Sequence, residues 1–530
     1  MTEPVSQTAP EAPLNMRLAV LLAMAMFVLV VDTSLMNVSI SAVVDDLDTT
    51  VSNVQSAIAL EALVSAAFIL IGSKVGDLIG RKRAYALGLL GYSVGALAMT
   101  VAQSVTAIVI FWAVVGGFGA SLLLPSMQAL IHGNFRGAAQ AKVYALVGAA
   151  AAIAAAVGPL LGGFITTYLS WRVGFGLEVV IIAIVLSGIG LVQDVPYTGS
   201  REVDPIGAVL SVIAMGGLVL SVLVWQEGGE SVAALLVAGV VAMGSLVYWL
   251  TRRKREGKPT LLDPDLFRST LFRFGVSGQL LQQVALGGLM IALPIYLQMV
   301  LEYNALEAGL SLAPLSLSMF ATALIAGKRA GTRRPSSIIR LGFVLLTVGV
   351  ASLLPIVPRA SSGWWLFVPL AIAGTGLGLL VSQLNNYTLS PISEDRVSEA
   401  AGVNSAAGSF GLSFGLAFAG AIMLATLSFT FTNQAEDSTV LSPAQQQAVA
   451  SALEHDAEIM ANSTLTEQIA GQPRDVQAEI LRINTEARPV ALQVALLIPL
   501  LAGCLGLLGA FRMGRLPDPA PSKAAKVPPG

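Results

Sequence analysis

The stretch that decides the fold is GSKVGDLIGRKR, Gly72 to Arg83. It lies between two long apolar runs, one beginning near residue 52 and the other near residue 84. Runs of about 20 such residues are long enough to cross a bilayer as helices, so the stretch reads as a tight polar connection between two membrane spans. Its glycines let the flanking helices approach closely. Asp77 can pair with a base or with a helix N-terminus. Arg81, Lys82 and Arg83 are three consecutive bases, which belong on the cytoplasmic side. Taken alone, this is an ordinary positive-inside loop, and the rest of the chain has to say what the loop serves.

The chain has 530 residues, 55% hydrophobic and 12% charged, with a mean hydropathy of +0.76. A soluble surface needs roughly twice that charge, so the expectation is an all-α polytopic membrane protein. A net charge of −2 with no basic stripe excludes a nucleic-acid partner. Cys504 is the single cysteine and allows no internal disulfide. His132 and His455 stand alone, so no metal site is expected. The N-terminal tail carries two acids and no base before the first apolar run, unlike a cleavable signal peptide. There is no phosphate-binding loop of the Walker type, so ATP is not expected as the direct energy source, and no cofactor is called for.

Fourteen apolar runs are long enough to span, starting near residues 16, 52, 84, 105, 142, 171, 204, 231, 270, 306, 338, 364, 398 and 488. If both termini are cytoplasmic and the spans alternate, 25 of the 30 Lys and Arg fall on the cytoplasmic side. Polar linkers at Val195 to Pro205 and Thr251 to Ser269 divide the chain. The expected organisation is a six-helix bundle over 1–194, a linker with an inserted helix pair over 195–269, and a second six-helix bundle over 270–530. Two such halves with a substrate site between them are a common transporter plan. An extracytoplasmic loop over about 428–487 holds nine acids against two arginines. Ser442-Pro443 is a good helix start, and Thr464 with Glu467 has the spacing of a capping box. The loop reads as a solvated cap of short helices or as an acidic vestibule that concentrates cations.

Three carboxylates lie at membrane depth: Asp32 in FVLVVDTSLMNVSI (Phe27 to Ile40), Glu61 and Glu178. A charge near a helix centre costs about 2.5–3.5 kcal/mol on insertion scales, so such residues are functional candidates by default. A carboxylate there can carry a proton or pair with a cationic substrate, but not both at once. That competition is exchange. Asp32 and Glu61 sit at comparable depth on successive spans and are expected to share one aqueous cavity, with Asp32 pairing the cation and Glu61 the more protonated. The alternative for each is a structural hydrogen-bond role. In the second half, Gln279, Gln282 and Gln283 fall at helical spacing, and Gln383, Asn385 and Asn386 cluster. These amides can orient a ligand in a substrate cavity or act as glue between helices.

The spacing G-x3-G-D-x2-G-R-K-R, with Gly72, Gly76, Asp77, Gly80 and Arg81, resembles the gating loop between spans 2 and 3 of the major facilitator superfamily. Gly158, Pro159, Gly162 and Gly163 followed by Trp171-Arg172 resemble the antiporter motif of its drug:proton antiporters. DTSLMNVSI (Asp32 to Ile40), PIYLQMVLEYNALEAGLSLAP (Pro294 to Pro314), AGTGLGLL (Ala373 to Leu380) and SEAAGVNSAAGSFG (Ser398 to Gly411) resemble segments of the fourteen-span, multidrug-efflux branch. The resemblance covers about residues 25 to 425. It implies two six-helix bundles plus an inserted pair, and a monomeric secondary exporter in a bacterial inner membrane. Such an exporter exchanges protons for small amphipathic, cationic compounds and is not an enzyme. Three departures leave other readings open. Ala113 and Gly116 replace the span-4 Arg and Gln tied to proton coupling, Gln55 and Leu60 replace a Trp and a Tyr, and Glu178 stands where an Asn is usual. Export of a lipid or metabolite with different or no proton coupling is one alternative. A membrane receptor or scaffold that has lost transport is another.

Overall fold

A computed structural model describes residues 15–135, 137–194, 204–226, 231–328, 334–392, 396–447 and 462–517. The expectations for His455 and for most of the linker 195–205 lie outside the described residues. Among the described residues there are helices and no strand. Fourteen helical segments are long and apolar enough to cross a membrane. In the first half they are span 1 (Met16–Val38), span 2 (Val51–Ile79), span 3 (Arg81–Val101), span 4 (Val105–Ile131), span 5 (Lys142–Tyr168) and span 6 (Trp171–Leu191). Spans 7 (Pro205–Trp225) and 8 (Val232–Arg255) form the inserted pair. The second half holds span 9 (Thr270–Val300), span 10 (Ala305–Ala326), span 11 (Pro335–Arg359), span 12 (Gly363–Leu389), span 13 (Glu399–Glu436) and span 14 (Arg474–Met513).

Local chemistry starts these helices. Thr50 Oγ1 accepts from Asn53 N at 3.1 Å at the head of span 2, and Ser269 Oγ accepts from Phe272 N at 3.3 Å at the head of span 9. Before span 10, Asn304 and Glu307 form a reciprocal capping box, each backbone N–H donating to the other's side chain at 3.0 Å. Gly80 turns the chain between spans 2 and 3 with φ +101°, a conformation that L side chains rarely adopt. A Cβ there would also sit 2.7 Å from Asp194 Oδ2.

Two expectations about the long loop change. Span 13 continues as helix to Glu436, and the last span begins its helix at Arg474 rather than near 488. The helix Val397–Glu436 and the segment Arg474–Met513 are each 40 residues, or about 60 Å at 1.5 Å per residue, twice a hydrocarbon core. Both therefore project from the bundle at the end that carries the loop. The Thr464–Glu467 pair falls on the helix Asn462–Gln468, and the Thr464 side chain that the expected capping box needs lies outside the described residues. The helix's first N–H groups donate to Glu302 Oε1 from the turn between spans 9 and 10, Asn462 N at 2.8 Å and Ser463 N at 3.3 Å. This contact comes from a distant part of the chain, which local spacing does not show.

The halves meet through spans 5 and 10 and through spans 2 and 13. One large apolar core joins them towards the loop end, uniting Leu35, Ile58, Trp112 and Phe175 with Leu289, Tyr296 and Leu312. A second core, including Leu18, Leu22, Tyr85, Leu123, Met127, Ile131 and Val185, lies towards the termini end and contains first-half residues only. At the termini end the shared apolar contact is smaller, with Leu70 of span 2 packed beside Leu266, Phe272, Ala400 and Val403. Spans 7 and 8 pack on each other with Gly217 against Gly239, and span 7 leans on spans 2 and 13.

Candidate functional site

Asp32 is fully buried at the middle of the first half. The Trp112 indole N–H donates to both carboxylate oxygens, at 3.1 and 3.0 Å, and the Tyr92 hydroxyl donates to Oδ2. Span 4 is wound as a π-helix from Ile108 to Gly116, and Trp112 sits in its middle. Such widened turns recur at functional sites because they re-aim a side chain. Glu178 from span 6, 2% exposed, brings its carboxylate beside that of Asp32. Neither Glu178 oxygen receives a hydrogen bond from another group among the described residues. Glu61 from span 2, 7% exposed, lies within electrostatic range of Asp32, and Tyr92 within range of all three acids. No Lys, Arg or His is among the charges acting on the cluster.

Sequence reasoning placed Asp32 and Glu61 together; the structure sets Glu178 closest to Asp32, and Asp32 faces spans 3, 4 and 6 inside the first half. Tyr92 and Trp112 were missed. Their signal was available: each is an aromatic residue with a polar handle inside an apolar span, and Trp112 directly precedes the position of the lost arginine. From Trp112 an edge-on ladder runs through Phe175 to Trp171, with ring centroids 6.2 and 6.1 Å apart. Trp171 Nε1 donates to Asp46 at 3.2 Å, and Arg172 forms an ion pair with the same carboxylate at 2.5 Å. The Trp-Arg pair after the antiporter-like motif therefore holds the short helix Ile40–Leu47 that follows span 1.

In the gating-type loop, Asp77 pairs with Arg81 one turn away across the Gly80 bend, both largely buried. Gly72 packs on the Ser121 backbone of span 4, and Gly76 on Ser126 and Arg81. Lys82 ties the loop to the end of span 6, with its backbone N–H on Asp194 Oδ1 at 3.0 Å and its Nζ on Val192 O at 2.8 Å. Arg81 Nη1 is buried without a partner among the described residues.

Span 5 uses its motif on two faces. A Cβ on Gly158 would sit 2.6 Å from Ser34 Cβ, and one on Gly162 2.9 Å from Leu35 Cα, so these glycines seat span 1. Gly163 abuts the Ala305 carbonyl and Gly309 abuts that of Pro159, so the same motif seats span 10 across the half boundary. Gln298 was not singled out from the sequence, yet it bridges the halves at the loop end. Its Oε1 accepts from Ser41 N at 2.9 Å and Ser41 Oγ at 2.7 Å, and its Nε2 donates to Asn37 O at 3.4 Å.

The second-half amides divide. Gln282 is buried, Gln282 Nε2 donates to Gln283 Oε1 at 3.4 Å, and Gln279 and Gln283 pack beside Gly408 of span 13. Gln383 is buried, whereas Asn385 and Asn386 are exposed, and Asn385 accepts from Asn404 Nδ2 at 2.6 Å. None of these amides contacts the carboxylate cluster through a hydrogen bond among the described residues.

The model of the Major Facilitator Superfamily matches residues 22–202 and 203–416. The chain is 25% identical over 416 residues to a "Probable actinorhodin transporter" of Streptomyces coelicolor, covering 77% of this chain and 72% of that protein. It is 29% identical to the "Puromycin resistance protein pur8" of Streptomyces alboniger, covering 78% and 83%. It is 26% identical to the "Multidrug export protein EmrB" of Escherichia coli, covering 75% and 78%. Its fold is similar to that of a bacterial homologue of the human lysosomal transporter Spinster, with a TM-score of 0.63 at 13% identity over 96% and 99% of the two chains. The D-xylose-proton symporter aligns with a TM-score of 0.58 at 11% identity over 96% and 100%. With its paired bundles, inserted helix pair and fourteen spans, the chain belongs to the Major Facilitator Superfamily, in the branch whose relatives are named as multidrug and antibiotic transporters; it is a transporter and not an enzyme.

Proposed function

We propose that this chain is a secondary active exporter of small amphipathic, cationic compounds, drugs among them, working by proton-coupled alternating access in a bacterial inner membrane. It acts as a monomer with both termini cytoplasmic. The observation that carries the reading is the cluster of Asp32, Glu61 and Glu178, three acids buried at membrane depth with no base facing them. Such a group must neutralise its charge, with protons or with a cation, because uncompensated ions in a low-dielectric interior cost several kcal/mol each. The two neutralising species exclude each other, which is the requirement for exchange. Two six-helix halves, 1–194 and 270–530, rock against each other with the cluster carried inside the first, and the Gln298–Ser41 contact and the Gly163–Ala305 seat close the outer end. Moving one charge against 100 mV takes about 2.3 kcal/mol, a load that one returning proton offsets.

The test is uptake of tetraphenylphosphonium into inverted vesicles carrying the full chain. Uptake that follows an imposed proton gradient and stops when the gradient is collapsed supports the reading. Uptake indifferent to the gradient favours export without proton coupling, and absence of flux for every cation, lipid and metabolite tried favours a receptor or scaffold.

A further inference from the structure

We infer that Asp32 and Glu178 form a carboxyl pair that holds one proton between them, and that Glu61 is a separate subsite meeting the cationic part of the substrate. This rests on the proton-exchange reading and divides its labour among residues. It inverts the division expected from the sequence, in which Asp32 met the cation.

The geometry separates the two roles. Both donors in the cluster, the Tyr92 hydroxyl and the Trp112 indole N–H, are committed to Asp32. Glu178 has none, and both of its oxygens are sealed from solvent. A sealed carboxylate beside another carboxylate repels it strongly and leaves its own lone pairs unsatisfied. One proton placed between them removes a charge and supplies the missing hydrogen bond. It is taken from hydronium and forms one O–H bond on the pair; when it leaves, that O–H bond breaks and the proton returns to water. Glu61 differs in that its oxygens are not among the sealed, unpartnered atoms, and the residue keeps 7% of its surface open. Glu61, unlike Asp32, is not enclosed by the indole and the phenol, whose N–H and O–H both go to Asp32.

The groups facing the pair are few. Span 2 offers Glu61, span 3 offers Tyr92, and span 4 offers only the non-titrating Trp112. The ionisable Lys142, Tyr144 and Tyr168 of span 5 lie at its ends. Arg172 of span 6 is turned to Asp46. Span 1 adds no other acid or base between Arg17 and Asp45. A proton on the pair therefore responds to Glu61 and to whatever cation Glu61 binds, which is how occupation of one site is felt at the other.

The full chain in nanodiscs tests this by difference infrared spectroscopy, reading the C=O stretch of protonated carboxylic acids, and by tetraphenylphosphonium binding across about pH 5 to 8. The ligand-free parent is expected to show an acid band that is lost in both Asp32→Asn and Glu178→Gln and kept in Glu61→Gln. Glu61→Gln is expected to weaken cation binding about tenfold or more at every pH, with Glu61→Asp restoring part of it. In Glu178→Gln the amide supplies the donor that the shared proton supplied, so the pH dependence of cation affinity should flatten. An acid band that survives Glu178→Gln and disappears in Glu61→Gln assigns the proton to Glu61 and overturns the proposal. So does a Glu61→Gln protein that binds the cation like the parent. If the parent binds no tetraphenylphosphonium at all, the cationic-substrate reading fails, while the acid band in the ligand-free protein still decides the pair.

Discussion

At the scale of residues, the site depends on two aromatic groups that carry no charge. Trp112 gives Asp32 a forked hydrogen bond in a position where the family usually keeps an arginine nearby, and it does so without neutralising the carboxylate. Hydrogen bonds to charged groups are worth about 1.5–3 kcal/mol each. Trp112→Phe keeps an aromatic ring against Phe175 and removes the N–H, so it should lower stability by about that amount and slow gradient-driven transport. Thermal unfolding and vesicle flux check it, and a variant matching the parent in both would show the indole is only packing. Asp77 poses a different question, since its partner Arg81 is on the same loop and retains one unpaired nitrogen. We read the pair as a lock that must open for the halves to rock. Asp77→Asn should fold and reach the membrane while transporting several-fold more slowly; full transport by a well-expressed variant would count against a lock.

At the scale of elements, span 5 is packed tightly against both halves because its glycines admit a backbone on each side. Gly309→Val on span 10 places two methyl groups against the Pro159 carbonyl, a contact that has no room for even one carbon. Overpacking of this kind costs about 1–3 kcal/mol, here charged only to the state closed at the loop end. The variant should therefore populate the state open at that end, seen as faster labelling of a cysteine placed at Ser41. Unchanged labelling would mean that spans 5 and 10 do not separate in the cycle. The linker after span 8 is tied to span 13 through Asp263. Asp263 receives Lys254 and Arg396, both at 2.8 Å, and its own N–H donates to Glu399. Partial burial pushes its carboxyl upward, but the Lys254 hydrogen bond, the Asp265 backbone N–H and the Arg396 charge prevail and hold it below its ordinary value of 3.8. A depressed carboxyl stabilises the folded state above its ordinary value and loses that contribution as pH falls through the folded one. Protease cleavage within 256–269 should be flat from about pH 7 to 5 and rise below about pH 4. Asp263→Asn should already be cleaved faster at neutral pH, and equal rates would show that the linker is held by packing alone.

At the scale of the whole molecule, we propose from the charge asymmetry that the long loop lies outside. With Cys504→Ser as background, a cysteine at the exposed Ser442 should be labelled by an impermeant reagent from the outside of intact cells and not from the cytoplasm. The reverse result would invert the topology and, with it, the direction of transport.

Fourteen spans, the two halves with a pair between them and the glycine turn between spans 2 and 3 were legible in the sequence, because each rests on local rules. Length and hydropathy decide whether a segment can span, and a glycine with positive φ or a run of bases acts where it stands. The three acids were legible too, since a carboxylate at membrane depth announces its own cost. Their arrangement was not. Whether Asp32 turns towards span 2 or towards spans 3, 4 and 6 depends on helix rotation, which is set by the close seating of Gly158 and Gly162 on span 1 and by the π-helical turn that aims Trp112. The contacts of Gln298 with Ser41 and of Glu302 with the helix at Asn462 likewise join residues more than a hundred positions apart. Composition and periodicity determine which segments cross and which residues are too costly to be idle; only the packed bundle decides which of those residues meet, because helices that share a membrane still choose their partners by surface fit.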